Sequence, residues 1–528
     1  MRISAVVTCL TMTGLLGLAG SGPQATCRVK LILFDADSNR EIPGLVKIED
    51  ADGQPVAIDK LLSRGLGLEG DLPIHRWHVL PASTVVDLPR GKFTITAISG
   101  LETEAARRDV DLTAAESTVS IPLTRFYHAD REGYRSGNTH LHLMKVSRET
   151  CDRYLREVPR ADRLDVMFLS YLERADADKE YTSNRYTGAD LAALTRQSGV
   201  MFGNGEEHRH NFTGWGEGYG HVMFLNIKEL IQPVSIGPGI MLTGHDGLPL
   251  QRGIDQARKD GATVIWCHNE WGLEALPNWL TGRVQAQNIF DGGIRSSFKD
   301  SFYRYLNAGL RVPFSTGTDW FMYDFSRAYV RVDGDLTTSN WLKQLAAGRS
   351  FITNGPLLDL RVSGRTVGDT VKLPDSGHVT IVARASGRVD FQRVELVQNG
   401  TVIVTASTKP VGGHFEAELK QPLSISKPCW LALRTPPPSV KDDPELAMPT
   451  PLNELGRELF AHTSPIYVDV AGRPVFDPTV ARQLLEKMNA SRQQLLQHGK
   501  FEDDLARERV LDVYRDGIAA LEKRLGDD

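Results

Sequence analysis

Residues 262–269 of the 528-residue chain read Ala-Thr-Val-Ile-Trp-Cys-His-Asn, an apolar, β-branched run that ends in a histidine and an amide. Shorter apolar runs lie at residues 165–169, 200–202 and 312–315, and segments with a helical pattern, such as 250–260, separate them. Strands that alternate with helices are typical of a parallel sheet covered by helices. This part of the chain therefore predicts an α/β fold with a parallel, barrel-like sheet.

The segments on either side of this stretch have different patterns. Before it, apolar and polar residues alternate between turns such as Asp52-Gly53, which is typical of a small β-sandwich. After it, a second β-rich stretch contains Asn399-Gly400, a favoured hairpin turn. A helix is then expected to begin at Asp477-Pro478 and to end at Gly499, with a second helix at 505–525.

We therefore expect five segments along the chain. They are a signal peptide at residues 1–22, an N-terminal β-sandwich at 23–125, a barrel at 126–356, a C-terminal β-rich domain, also a sandwich, at 357–472, and a helical hairpin tail at 473–528.

The amino terminus carries the pattern of an export signal. Residues 5–19 form an apolar run, Arg2 precedes it, and the small residues 20–22 follow it. The run is short for a helix that spans a bilayer, which favours cleavage over anchoring. We expect a periplasmic or secreted protein without stable membrane insertion, with an uncleaved N-terminal anchor as the alternative.

Composition excludes several classes of protein. With 41% hydrophobic and 24% charged residues, the chain is globular rather than disordered or fibrous. Its 61 basic and 66 acidic residues give a net charge of −5, which does not attract phosphate backbones or anionic membranes. We therefore expect no nucleic-acid partner; the sequence carries no signal for an oligomeric state.

The five cysteines do not form a recognisable framework. No CxxC pair occurs, which argues against a zinc ribbon, and their wide spacing argues against a disulfide scaffold. Cys9 belongs to the predicted signal peptide. Whether Cys27, Cys151, Cys267 and Cys429 form pairs is left open by their spacing.

Histidines are concentrated in the α/β stretch, where eight of the fourteen lie between His128 and His268. The first motif, at residues 137–142, places His140 and His142 on the same side of an extended chain, because side chains alternate with period two. Such a pair can chelate a metal ion. Two surface histidines on a strand would have the same pattern.

A second motif follows the apolar run at 200–202. Glu207 follows this run, in Gly205-Glu206-Glu207, and His221 opens the next apolar run, at 220–225. A carboxylate at a strand end can bridge two cations, and the histidine can complete the coordination of one of them. The alternative is a solvated loop of acidic and basic residues, which suits His208 and His210 better than it suits His221.

The third and fourth motifs are strand ends. His268 ends the run at 262–267, and Asp319 follows the run at 312–315. Parallel α/β folds place functional groups at the carboxyl ends of strands. A single histidine in such a position is more often a satisfied core residue, but four motifs in one α/β stretch together indicate a metal site.

These four motifs, in this order, resemble those of the PHP (polymerase and histidinol phosphatase) metallohydrolases. Residues 348–356 (GRSFITNGP) and 461–468 (AHTSPIYV) are similar to the CehA/McbA branch, which is named for carbaryl hydrolysis. The resemblance covers residues 127–470. It implies a distorted (βα)7 barrel with metals at the carboxyl ends of its strands, flanked by the β-sandwich domains and the helical hairpin.

The resemblance also implies a set of ligands. One metal would be held by His140, His142, Glu207 and Asp319, and Glu207 would bridge to a second metal held by His221 and His268. The Thr-Asp-His of the family falls here on residues 170–172 (Ser-Tyr-Leu), and its Asp-x-His on 319–321 (Asp-Trp-Phe). Both missing histidines belong to the third metal of trinuclear members. We therefore expect one or two divalent ions, of Zn, Mn or Fe.

A metal-activated water would make the protein a hydrolase that cleaves an ester, carbamate or phosphoester bond of a small-molecule substrate. The candidates for protonating the leaving group are Lys145, Glu173 and Glu270, for each of which a structural ion pair is the alternative. Four tryptophans can line an apolar pocket or simply pack in the core: Trp215, Trp266, Trp271 and Trp320.

The alternative function is a non-catalytic module that keeps a metal for stability while its β-sandwiches bind carbohydrate or a protein. This alternative is suggested by the absence of the two histidines that bind the third metal in trinuclear members of the family. A nucleic-acid phosphoesterase is disfavoured by the charge balance.

Overall fold

The computed structural model of the chain describes residues 25–172, 181–242, 244–269, 271–294, 297–298, 302–438 and 450–526. The predicted signal peptide and Cys9 lie outside these residues. No helix in the described ranges has the length and apolar character needed to cross a membrane.

The N-terminal part consists of two sheets that share one core. A three-stranded sheet has the order β5-β1-β8, and a five-stranded sheet has the order β3-β4-β2-β6-β7. In β1 every second side chain is buried, and these include Cys27, Val29 and Leu31, because alternate residues face the opposite sheet. The strands are β1 (Thr26–Asp35), β2 (Gly44–Asp50), β3 (Leu62–Ser63), β4 (His78–Leu80), β5 (Thr84–Pro89), β6 (Gly91–Ile98), β7 (Ala106–Leu112) and β8 (Glu116–Leu123).

The central part contains short strands and seven helices within its described residues. Its helices are α1 (Arg148–Ala161), α2 (Gly188–Ser198), α3 (Pro238–Met241), α4 (Leu250–Lys259), α5 (Ala275–Leu280), α6 (Arg304–Asn307) and α7 (Thr338–Ala346). Its strands are β9 (Tyr134–Asn138), β10 (Leu141–His142), β11 (Val166–Tyr171), β12 (Met201–His210), β13 (Gly220–Leu225), β14 (Ser235–Ile236), β15 (Thr263–Trp266), β16 (Ala286–Asn288), β17 (Phe314–Ser315), β18 (Asp319–Trp320), β19 (Arg327–Arg331) and β20 (Ser350–Thr353).

The C-terminal part is rich in strands and ends in two long helices that contact each other. The strands are β21 (Leu357–Val362), β22 (Thr370–Leu373), β23 (Gly377–Gly387), β24 (Arg393–Gln398), β25 (Thr401–Ser407), β26 (Lys409–Val411), β27 (His414–Ile425), β28 (Cys429–Arg434), β29 (Ala461–Thr463) and β30 (Ile466–Val470); the helices are α8 (Pro478–His498) and α9 (Asp504–Gly526).

One large mixed sheet joins the central and C-terminal parts. Its main path runs β17-β16-β15-β13-β12-β11-β9-β19-β20-β29-β28-β24-β25. The pairs β9–β11, β11–β12, β15–β16 and β16–β17 are parallel, whereas β13 is antiparallel to both β12 and β15. On its other side, β9 pairs with β19, which is antiparallel to it. The strand β19 then pairs with β20, and β20 pairs with β29 of the C-terminal part.

The prediction of an α/β fold built on a distorted (βα)7 barrel is wrong. Of the described residues, 37% lie in strands and 24% in helices, and large mixed sheets dominate this part of the chain, with no clear barrel visible in it. The physical reason is that β12 and β13 follow each other as an antiparallel pair without an intervening helix. The large sheet also continues through β19 into the C-terminal strands. The prediction could not anticipate this, because the apolar runs of antiparallel and parallel buried strands have the same sequence pattern.

The cysteines of the described residues are all free. Four cysteines are buried and form no disulfide bond: Cys27, Cys151, Cys267 and Cys429. Their spacing in the sequence had left this open. Burial raises the pKa of the Cys151 thiol to about 11. Buried thiols of this kind pack as small apolar side chains.

Candidate metal centre

The six predicted metal ligands lie together in one buried cluster. His142 lies in β10 with His140 just before it, Glu207 lies in β12, His221 in β13, and Asp319 in β18, while His268 follows β15. None of the six side chains is more than 5% exposed. The cluster is therefore assembled from strand ends that are up to 179 positions apart in the chain.

Backbone geometry brings the first and last motifs into contact. The strand β10 pairs in parallel with β18, so that Leu141 lies opposite Asp319, and the carbonyl of His140 accepts hydrogen bonds from the backbone N–H groups of Thr318 and Asp319. A Cβ at Gly317 would lie 2.6 Å from the Cβ of His140, so this approach requires glycine. Asp319 itself has φ of 62°, a conformation that is unfavourable for a residue with a side chain.

Four ligand atoms of the first group surround one point. The Nε2 of His142 lies 3.0 Å from that of His140 and 3.1 Å from Oε2 of Glu207. The Oδ1 of Asp319 lies 3.4 Å and 3.7 Å from the same two nitrogens. Four ligands of a tetrahedral zinc site, bound at the usual lengths, lie about 3.3 Å from one another. The spacing suits a metal ion.

Hydrogen bonds on the outer side of the rings orient the nitrogen lone pairs inward. The Nδ1 of His142 donates to the carbonyl oxygen of Ser170 at 3.1 Å, and that of His140 to Oδ2 of Asp291 at 2.9 Å. In the neutral form of each ring, Nε2 is therefore an acceptor. Two acceptors at 3.0 Å repel each other unless a cation lies beside them.

The second group shares Glu207 with the first. The Nδ1 of His221 lies 2.9 Å and the Nε2 of His268 lies 3.4 Å from Oε1 of Glu207. The Nε2 of His221 is 2.8 Å from Oδ1 of Asn211, to which it donates, so its Nδ1 also carries an inward lone pair. The two oxygens of Glu207 thus face different groups, which is the arrangement of a bridging carboxylate.

Two inward atoms have no hydrogen-bond partner. They are Nδ1 of His221 and Oδ1 of Asp319, both shielded from water. Buried polar atoms are normally satisfied, and these two acceptors would be satisfied by a cation bound between them and the other ligand atoms. The buried His, Glu and Asp side chains are spaced closely enough to hold a metal ion.

The charges of the cluster shift the pKa values of its members in different directions. Burial alone would raise the pKa of Glu207, but the charge of Arg209 and the histidine nitrogens that face the carboxylate hold it well below its ordinary value. Burial lowers the pKa of His221 to about 4, so its ring is neutral near neutral pH. Burial also acts to lower the pKa of His268, yet the adjacent Asp291 carboxylate raises it well above its usual range.

Asp291 is a part of the site that the sequence analysis missed. Its Oδ1 accepts a hydrogen bond from the backbone N–H of His268 at 2.8 Å, and its Oδ2 accepts from His140. Burial acts to raise its pKa, but the charges of the two histidines hold it far below its ordinary value. Carboxylates that hold metal-binding histidines in this way fix the tautomer. In the sequence, the one feature that could have pointed to Asp291 is that it precedes a glycine just after β16.

A third set of ligand-type residues, His140, Cys267 and Asp291, lies on the outer side of the His140 ring. The hydrogen bond from Nδ1 of His140 to Asp291 already uses this side. Burial raises the pKa of the Cys267 thiol well above its ordinary value, so the thiolate form that binds metals is disfavoured. This set is a weaker candidate for a metal than the two groups around Glu207.

Aromatic rings border the cluster on two sides. Trp271 lies 4.6 Å from the ring of His221 and 5.7 Å from that of His268, and Trp320 lies 5.4 Å from the ring of His142. Both tryptophans are partly exposed. In contrast, Trp266 is fully buried and Trp215 stacks on Phe212. Two of the four predicted tryptophans therefore contact the ligands, and the other two pack elsewhere.

Of the three predicted proton donors, Lys145 is the one that lies within the described residues. Lys145 is exposed, with φ of 57°. Glu173 and Glu270 lie outside the described residues.

The expectation that His208 and His210 lie in a solvated loop is wrong. Both belong to β12 and are 0% exposed. Because side chains alternate along a strand, they face the side opposite to Glu207. There His208 pairs with Glu206 at 2.7 Å and His210 with Asp246 at 3.0 Å. The sequence of mixed charged residues resembled a loop because the buried partners of these two histidines cannot be recognised from the sequence.

Comparisons with known proteins identify no family. No family model matches the chain, and no curated protein is significantly similar to it. Among solved structures, the C-terminal domain of the shaft pilin SpaA from Lactobacillus rhamnosus GG aligns with 19% of this chain and 98% of its own, at 14% identity and a TM-score of 0.10.

Proposed function

We propose that this protein is an exported metal-dependent hydrolase that uses water to cleave an ester, carbamate or phosphoester bond of a small-molecule substrate. The observation that carries the proposal is the Glu207 carboxylate, whose two oxygens face two separate groups of inward-directed nitrogens. Metal positions that share a carboxylate are typical of sites that hydrolyse such bonds. The order of the motifs supports it through its resemblance to PHP enzymes of the CehA/McbA branch.

The chain offers ligands for one or two divalent ions. The first would be held by His140, His142, Glu207 and Asp319, and the second by Glu207, His221 and His268. Imidazole and carboxylate ligands suit Zn, Mn and Fe. When bound, such ions lower the pKa of water and polarise a carbonyl or phosphoryl oxygen.

The surrounding residues hold the ligands in place and limit access to them. Asp291, the Ser170 carbonyl and Asn211 accept the outward protons of the rings and keep the lone pairs directed at the centre. Trp271 and Trp320 cover the ligands from two sides. The leaving group would receive its proton from Lys145, Glu173 or Glu270, or from water.

Two features of the sequence complete the proposal. The apolar run at residues 5–19 supports export to the periplasm or the medium. The net charge of −5 supports a small-molecule substrate rather than a nucleic acid.

The test combines elemental analysis with a panel of substrates. We expect the purified protein to contain stoichiometric metal and to hydrolyse at least one of p-nitrophenyl acetate, bis(p-nitrophenyl) phosphate and an aryl N-methylcarbamate. His140→Ala and His268→Ala should lose metal and turnover together. His378→Ala, at an exposed strand position, is the matched control and should behave as the wild type. Unchanged metal content and turnover in both site variants would refute the proposal.

Burial of the cluster favours a second candidate function. Side chains that are at most 5% exposed also suit a metal that only stabilises the fold, with the β-sheets binding carbohydrate or a protein partner. Stoichiometric metal and chelator-sensitive folding, without turnover of any substrate in the panel, would support this function over hydrolysis.

A further inference from the structure

Arg209 is a buried charge beside the metal ligands. It follows Glu207 by two positions in β12, so both side chains lie on the same face of the strand. Its side chain is 8% exposed, and its Nη1 lies 3.7 Å from Oε2 of Glu207. This distance is too long for a hydrogen bond. Both oxygens of Glu207 already face the histidines.

The remaining edge of the guanidinium has no partner. Nε and Nη2 of Arg209 are shielded from water and make no hydrogen bond. These two nitrogens form the edge that binds two oxygens at once in Arg–carboxylate and Arg–phosphate pairs. Arg64 uses the same edge on Asp162, at 3.3 and 2.6 Å. The free edge of Arg209 thus has the geometry of an oxyanion receptor.

Among the arginines of the described residues, Arg209 is the one that leaves two shielded nitrogens without a hydrogen bond, whereas Arg125, Arg252, Arg492 and Arg507 each leave Nε. Among the described residues, Arg64, Arg327 and Arg434 are also buried, and each donates hydrogen bonds to carboxylate, carbonyl or hydroxyl oxygens. A buried charge without a hydrogen-bonded partner is costly. A ligand that brings its own oxygens would satisfy Arg209 in the way that the protein satisfies the other three.

We infer that Arg209 binds an oxyanion of the substrate through Nε and Nη2, next to the two metal-ligand groups. The substrate would therefore carry a two-oxygen anionic group, either phosphoryl or carboxylate, close to the bond that is cleaved. That the bound anion belongs to a substrate rests on the proposed function. Anion binding by Arg209 can be measured separately, without turnover. It gives Arg209 a role in substrate specificity.

The test uses Arg209→Lys, which keeps the charge but loses the planar fork, and Arg209→Met, which loses both. Arg283→Lys is the matched control, because Arg283 uses the same edge on Asp255 at a partly exposed position away from the metal ligands. Inorganic phosphate and acetate are titrated into each full-length protein by calorimetry, after circular dichroism and elemental analysis have shown wild-type folding and metal content.

We expect the wild type and Arg283→Lys to bind at least one of the two anions, and Arg209→Lys to bind it at least tenfold more weakly. Arg209→Met should bind it more weakly still. Preference for phosphate over acetate would assign a phosphoester, and the reverse a carboxylate-bearing substrate. Binding by both Arg209 variants as tight as in the wild type, or no binding of either anion by the wild type, would overturn the inference.

Kinetics separate this inference from the proposed function. In Arg209→Lys, the KM for bis(p-nitrophenyl) phosphate should rise at least tenfold, while that for the neutral p-nitrophenyl acetate should change less than twofold. Equal losses for both substrates would refute the anion role and leave the hydrolase intact. Anion binding through Arg209 without any turnover would refute the hydrolase and leave the anion site intact.

Discussion

The Nε2 atoms of His140 and His142 lie 3.0 Å apart, and in the neutral form of both rings neither can donate to the other. Each ring gives its Nδ1 proton to a fixed acceptor, which is Asp291 for His140 and the Ser170 carbonyl for His142. The contact is therefore one between two lone pairs, and only a proton or a metal ion makes it favourable. Two histidines separated by one residue thus become a chelating pair.

Removing one member of this pair should remove a metal ion. In His142→Ala, the first group keeps His140, Glu207 and Asp319 but loses one of its four ligands, so we expect metal content to fall by about one ion per chain. Mass spectrometry of the metals in the dialysed protein measures this. His378→Ala is the control, and an unchanged metal content in His142→Ala would contradict the assignment.

Glu207 should control both metal positions. In Glu207→Gln, one carboxylate oxygen becomes an amide nitrogen, which cannot bind a cation, so the residue can serve only one of the two groups. We expect the content of metal to fall from two ions to one or none, as measured by elemental analysis. Glu206→Gln, on the opposite side of β12, should retain the metal of the wild type per folded molecule.

Asp291 should tune metal affinity without binding the metal. In Asp291→Asn, the outward proton of His140 loses its charged acceptor, and we expect metal affinity to weaken by about 10–100-fold. Competition with a chromophoric chelator measures the affinity. Asp255→Asn, at a half-exposed carboxylate paired with Arg283, should leave it unchanged. A change smaller than twofold in Asp291→Asn would contradict this role.

Chelation should lower stability. A ligand that binds only the folded state at 100 times its Kd stabilises that state by about 2.7 kcal/mol, so removal of bound metal should lower Tm by several degrees. Differential scanning calorimetry with and without EDTA tests this. The double variant His140→Ala/His268→Ala should show no response to EDTA; an equal shift there would mean that EDTA acts elsewhere.

Glu274 should make stability depend on pH. Burial raises its pKa from 4.5 to about 8, although the N–H groups of Leu250 and Gln251 donate to it. Because the folded state binds this proton more tightly than the unfolded state, the contribution is complete below pH 4.5 and is lost as pH rises to about 8.

Glu274→Gln cannot ionise and should therefore remove part of this dependence. Between pH 6 and pH 8.5, the free energy of unfolding should fall less in Glu274→Gln than in the wild type. Urea unfolding at both values of pH measures the difference. Glu104→Gln, an exchange at a partly exposed carboxylate, serves as the control. Equal slopes in the wild type and Glu274→Gln would show that Glu274 is ionised throughout.

Local signals in the sequence were sufficient for several elements. Asp477 caps α8 by accepting hydrogen bonds from the N–H groups of Thr479 and Val480, and Gly499 ends this helix, both as predicted. Asn399 and Gly400 form the turn between β24 and β25, both with positive φ. These features depend on backbone preferences of a few adjacent residues, which the sequence contains directly.

The path of the sheet could not be predicted in the same way. The apolar run of β13 has the pattern of a buried parallel strand, yet it pairs antiparallel with both of its neighbours. Strand direction depends on which partner the chain meets after each turn, and periodicity does not carry this information. The barrel prediction failed at this point.

The sequence by itself determined the six side chains that gather at the centre, because each stands at or next to a strand, where geometry directs it toward a common region. Only the tertiary structure decided which residues support them. Asp291 reaches His140 across 151 positions, and the free edge of Arg209 is defined by the partners that it lacks. Hydrogen bonds between distant residues depend on distances in space, which the order of residues along the chain does not contain.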